Sequence, residues 1–95
     1  MGDNNTSVSI IKAIVAEQKT IIGPLAVDQA NKVQGLHVSS DVVNIEINGD
    51  GKAVIQSLVL GYKKLFGEAS VIACKEAVKE RVRNVTSKDL PQILQ

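Results

Sequence analysis

The sequence predicts a mainly α chain with a minor β element: an α+β fold of four helices in two pairs around one short strand or hairpin, plus a short C-terminal helical turn. Three observations predict it. Val43, Ile45 and Ile47 alternate with Asn44, Glu46 and Asn48, which is the period of a half-buried strand. On both sides of that stretch apolar residues recur at helical spacing. Gly23-Pro24, Gly35 and Gly67 interrupt the helical patterns where helices are expected to end.

The chain has 95 residues, the length of one small domain. Met1 to Asn5 reads as a disordered lead-in with nothing apolar to tie it down, and residues 6–95 as a single helical domain. A chain of this size buries only roughly 60 to 65% of its unfolded surface. Tyr62 and Phe66 are the only aromatics, so the core must be built from many aliphatic contributions and be dense, or be shared with a second subunit.

In the first helix Thr6 or Ser7 can serve as cap. Val8, Ile11, Val15 and Ile22 fall on one face, and Ile10, Ile14 and Ile21 widen it, which suggests burial on two sides. Proline lacks the donor that would continue the ladder and restricts Gly23, so the helix ends there. A second helix can open at Pro24 and run through Leu25, Ala26, Ala30 and Val33 to a stop at Gly35, with Asp28 and Lys32 spaced as an ion pair.

The strand-like segment then needs a partner. Leu36 to Ser39 can pair back on Val42 to Ile47 around Ser40-Asp41, or the same strand of a second subunit can supply the pairing. A turn at Asn48-Gly49 followed by a strand at Lys52 to Ile55 is the competing hairpin, but the helical pattern from Ala53 onward favours Asp50 as a helix cap. The third helix spans about Gly51 to Phe66, with Val54, Ile55, Leu58, Val59, Tyr62, Leu65 and Phe66 on a wide face. Gly61 inside it suits close approach of another helix. The fourth, about Glu68 to Asn84, carries a seam of Val71, Cys74 or Lys75, Val78 and Val82 and a mixed-charge outer face. Ser87 or Asp89 can cap a last turn, from which Leu90, Ile93 and Leu94 dock on the core or on a neighbour.

Ile21-Ile22-Gly23-Pro24-Leu25-Ala26, followed by a helix bearing Ala30, resembles the Gly-Pro-(Ile/Leu)-Ala helix opening of small helical modules of prokaryotic signalling proteins, such as those appended to bacterial Ser/Thr kinases. The resemblance implies an interaction or regulatory appendage and brings no catalytic residues with it.

Eleven basic residues against ten acidic ones weigh against nucleic acid, whose binders of this size usually show a basic excess. No apolar run approaches the roughly 20 residues of a membrane span. The polar N-terminal stretch lacks the regions of a signal peptide, and a single cysteine permits no internal disulfide, so a cytoplasmic location is expected. Chemical motifs fail on spacing. Gly49-Asp50-Gly51-Lys52 looks like part of a phosphate loop, but Glu46 stands six before the lysine and Ala53 replaces the hydroxyl residue. Asn44, Glu46, Asn48 and Asp50 alternate as in a calcium loop, yet Ile55 holds the place of its late glutamate. Cys74 reads as a small core residue, and His37 alone cannot build a metal site. No cofactor, metal or enzymatic activity is expected.

The favoured expectation is a non-enzymatic interaction or regulatory module, self-associating as a homodimer and serving a protein partner. Val43, Ile45, Ile47, Leu90, Ile93 and Leu94 are its candidate interface. The alternative is a small nucleic-acid-associated protein using Lys75, Lys79, Arg81, Arg83 and Lys88. A ligand pocket between the helical pairs is a third expectation.

Overall fold

A computed structural model describes residues 4–82, 85 and 87–95. The element order is α1 (Asn4–Ile22), α2 (Leu25–Ala30), β1 (Leu36–Val38), β2 (Ile45–Ile47), α3 (Gly51–Phe66) and α4 (Glu68–Arg81), then two 3-10 turns, Ser87–Asp89 and Gln92–Leu94. The mainly helical α+β class is therefore the observed one. The hairpin and the short C-terminal turns also stand where the sequence puts them.

α1 is the central element, lying against α2, α3, α4 and β2. Its inward residues Ile10, Ile11, Ile14 and Val15 are fully buried, and each contributes about 1.5 to 3 kcal/mol by leaving water. Ile21, expected to widen this face, is instead 57% exposed, whereas Ile22 beside it packs against the core. The helix begins at Asn4, so Asn4 and Asn5 join it rather than the lead-in; Met1 to Asp3 lie outside the described residues. It stops where expected, with the Gly23 N–H donating to Lys19 O and Pro24 opening the next turn.

α2 is shorter than the sequence suggests. It ends at Ala30, and the chain reaches β1 through turns closed by Lys32 N–H to Gln29 O and Val33 N–H to Ala30 O. Asn31 accounts for the early stop. Its side-chain amide bonds the backbone of Val38, a tertiary alternative to continuing the helix. Lys32 then lies past the helix end, and among the described residues Asp28 and Lys32 form no ion pair. Gly35 has φ +86°, and an added Cβ there would stand 2.5 Å from Asn48 O, so the hairpin closes only with glycine at this point.

β1 and β2 pair antiparallel with Leu36 opposite Ile47, His37 opposite Glu46 and Val38 opposite Ile45. Of the two partners open to the strand, the one within the same chain is thus taken up. α3 starts after Asp50, which is extended but caps with its backbone rather than its side chain: Val54 N–H donates to Asp50 O. Val54, Ile55, Leu58, Val59 and Tyr62 are buried, whereas Leu65 and Phe66 are exposed, against expectation. They fall in the last turn of α3, where Gly67 at φ +83° redirects the chain into α4.

α4 packs on both α1 and α3 through Val71, Cys74, Ala77 and Val78, while Lys75 stays exposed. It ends at Arg81, three residues before the expected Asn84; Arg83 and Asn84 lie outside the described residues. The second 3-10 turn closes the chain against α3 and α4.

Candidate functional site

The loop that joins the strands is tied by side chains rather than by a Gly-containing turn. Ser39 Oγ donates to Asp41 Oδ1 at 2.6 Å and accepts the amides of Val43 at 3.2 Å and Asn44 at 3.0 Å. Asp41 Oδ1 also accepts the Val43 N–H at 3.1 Å, and Lys19 Nζ donates to Ser40 O from α1. The hydrogen bond from Ser39, seconded by that from Val43, holds the Asp41 carboxyl below its usual value. Within this knot Val42 adopts φ +60°, a left-handed conformation unusual for a β-branched residue, with its side chain buried in the core.

That geometry corrects one expectation. The strand alternation places Val43 inward with Ile45 and Ile47, but Val42 takes the inward place and Val43 is 59% exposed. The positive φ of Val42 breaks the two-residue period at the end of the strand. Ile45 and Ile47 do pack, half-buried, against the core, and Glu46 and His37 point to solvent.

The C-terminal candidates sit elsewhere. β2 leans on α1, whereas the Gln92–Leu94 turn docks on α3 and α4, so the two sets form no common surface. Leu94 is buried and Leu90 and Ile93 are half-buried against the same core. Leu94 is thus spent on the chain's own interior, which removes it from the interface set. Beside it a recess of about 520 Å³ opens between α4 and the C-terminal segment, lined by apolar residues including Ile72, Val78, Val82 and Leu90. This is not the expected place between the helical pairs.

A second apolar surface was not anticipated from the sequence. Leu25 (58% exposed), Leu65 (57%) and Phe66 (39%) surround one recess of about 280 Å³ with Asp28, Gln29 and Lys32. Large exposed apolar side chains gathered at one place mark interaction surfaces more often than the same residues scattered singly. The signal available in sequence was Leu25 directly after Pro24 and the Leu65-Phe66 pair directly before Gly67, both at helix ends where an amphipathic face loses its cover.

The titratable side chains of the interior are structural in placement. Gln18, unremarked in the sequence, is buried on α1 and donates to Ser70 O at 3.3 Å and to Cys74 Sγ at 3.5 Å. Burial pushes the Cys74 thiol up to about 11, which keeps it in its unreactive neutral form. Burial likewise raises the Tyr62 phenol well above its ordinary value, and its hydroxyl donates to Ala26 O at 2.7 Å. Among the described residues no three His, Cys, Asp or Glu side chains come together as a metal site, and no helix is long and apolar enough to cross a membrane.

Among the described residues the basic side chains make no continuous stripe. Lys75, Lys79 and Lys88 are exposed, but Arg81 is paired with Glu17 at 3.1 Å and Glu76 and Glu80 interrupt the exposed side of α4; Arg83 lies outside the described residues. Comparison with protein-family models, curated proteins and solved structures finds no match to this chain.

Proposed function

We propose that this chain is a non-enzymatic protein-interaction or regulatory module that self-associates and presents an apolar surface to a protein partner. The observation that carries the reading is the cluster of Leu25, Leu65 and Phe66 around a single recess. Most large apolar side chains of this chain are buried, and three exposed ones gathered at one place suit a docking surface. The resemblance of Ile21 to Ala26 to the helix opening of prokaryotic signalling modules supports a cytoplasmic signalling setting, and Leu25 of that same segment lies in the cluster.

The test is affinity capture with the native chain beside a Leu25→Ser/Leu65→Ser variant of unchanged thermal midpoint. A protein retained by the native chain and lost by the variant supports the reading. Equal capture by both overturns the surface. Self-association is read separately by light scattering, and a strictly monomeric mass at millimolar concentration removes that part.

A further inference from the structure

The two edges of the hairpin are treated differently. On β1 the outer edge is closed from within the chain. Val38 N–H donates to Asn31 Oδ1 at 2.8 Å, Asn31 Nδ2 donates to Val38 O at 2.9 Å, and Leu36 N–H donates to Val33 O at 3.2 Å. The Asn31 amide thus stands in for a peptide group of a third strand.

On β2 the outer edge has no such closure. Ser39 N–H donates to Asn44 O at 2.9 Å and Asn48 N–H donates to Gly35 O at 2.7 Å, so Asn44 and Asn48 turn their backbone toward β1. By the alternation of an antiparallel ladder, Glu46 does the same, and the N–H and C=O of Ile45 and Ile47 point away from β1. Among the described residues these four groups have no hydrogen-bond partner. Backbone groups in folded proteins are nearly always paired, so water or another chain must satisfy them. Exposed Val43 adjoins this edge.

We infer that the occupant is β2 of a second copy of this chain, paired antiparallel about a two-fold axis through Ile45. The inference rests on the self-association proposed above and names its surface. Self-complementarity selects the occupant, because Val43-Asn44-Ile45-Glu46-Ile47 read against itself sets apolar beside apolar and acid beside amide. An axis at Glu46 would pair all four free groups but set Glu46 directly opposite its own copy, and like charges directly opposite destabilise a sheet. An axis at Ile47 would bring Ile45 against Gly49, whose φ of +102° takes the backbone out of the extended conformation. With the axis at Ile45, the two Ile45 residues exchange both bonds and each Ile47 N–H meets the other copy's Val43 carbonyl. Glu46 then faces the Asn44 amide, and exposed Val43 packs beside Ile47. The Val43 N–H, already held by Ser39 and Asp41, asks nothing of the second copy, and each Ile47 carbonyl is left to water. Two three-residue strands are marginal alone, and pairing makes one four-stranded sheet.

Amide exchange of the full chain, measured at micromolar and at millimolar concentration, tests the surface. The Ile45 and Ile47 amides are expected to gain protection with concentration, while those of Val43 and Glu46, bonded within the chain, are not. Asn44→Lys tests the register. Its side chain is exposed and would face Glu46 twice per dimer, so dissociation should become on the order of 5-fold weaker at low salt. A monomeric mass throughout overturns both the self-association and this interface. A dimer with unprotected Ile45 and Ile47 amides leaves self-association standing and overturns the edge, and a dimer whose affinity Asn44→Lys leaves unchanged overturns the register.

Discussion

Val42 illustrates a residue held against its own backbone preference by its side chain. A left-handed β-branched residue costs roughly 1 to 2 kcal/mol, and burying the valine side chain returns a similar amount. Alanine here keeps most of the strain and loses the burial, whereas glycine loses the burial but also the strain. Val42→Gly is therefore expected to be less destabilising than Val42→Ala by about 0.5 to 1 kcal/mol in urea unfolding, the reverse of the order at an ordinary strand position such as Val38. Beside it, Asp41 has a lowered pKa caused first by Ser39 and then by Val43. A carboxylate depressed in the fold stabilises above its unfolded value, near 3.8, and loses that contribution as pH falls through the lower folded value. Protection of the Val43 amide should accordingly fall in that acidic window, and in Asp41→Asn, whose amide oxygen still accepts the bond but does not titrate there, it should stay constant across the window. Cys74 runs the other way. Its thiol is raised to about 11 by burial, so the fold favours the neutral form: that stability is complete below the unfolded value, near 9.0, and is lost as pH rises toward 11. Alkylation at neutral pH should be slow in the native chain and fast in denaturant; rapid native labelling would contradict the buried placement.

At the scale of the elements, what the sequence made legible follows the strength of its patterns. α3 has the bounds read from Asp50 and Gly67, because a cap position and a stopping glycine bracket an uninterrupted helical period. The break at Gly23-Pro24 is equally local in origin and equally clear. α2 was not, since its end depends on Asn31 meeting Val38 seven residues later, a tertiary contact without periodicity. Two glycines separate these cases experimentally. At Gly61 an added Cβ would stand 2.6 Å from Gln29 Nε2, the far end of a flexible side chain on α2, with the next atom at 3.6 Å. Gln29 can swing aside, and alanine removes up to about 1 kcal/mol of helix penalty. Gly61→Ala is therefore expected to be neutral or stabilising by up to about 0.5 kcal/mol. At Gly35 the obstacle is the backbone oxygen of Asn48 and φ is +86°, so Gly35→Ala should destabilise by more than about 1 kcal/mol. Thermal and urea unfolding of the two variants reads both signs.

For the whole molecule, sequence foretold the presence of an aliphatic core but misplaced part of its surface. Periodicity says which face of a helix is apolar, not how far along its length another element covers it. Leu65 and Phe66 extend an apolar face past the packed region, whereas Leu94, read as docking on the core or on a neighbour, fills the interior. The structure consequently presents two separate surfaces, one of which lies outside the residues that the sequence singles out. The Leu25, Leu65 and Phe66 cluster belongs to α2 and the end of α3; the open strand edge belongs to β2, which leans on α1. A second copy that binds only the folded chain raises the unfolding midpoint with concentration, by mass action. If self-association runs through β2 alone, Leu25→Ser/Leu65→Ser should show the same rise in midpoint between micromolar and millimolar protein as the native chain, while Ile45→Pro, which removes an outward N–H and no bond to β1, should show none. Each copy of the dimer would then carry an uncovered apolar cluster, so the assembly presents two docking sites to one partner. Loss of the concentration dependence in the double-serine variant would instead join the two surfaces into one interface and leave no separate site for a partner.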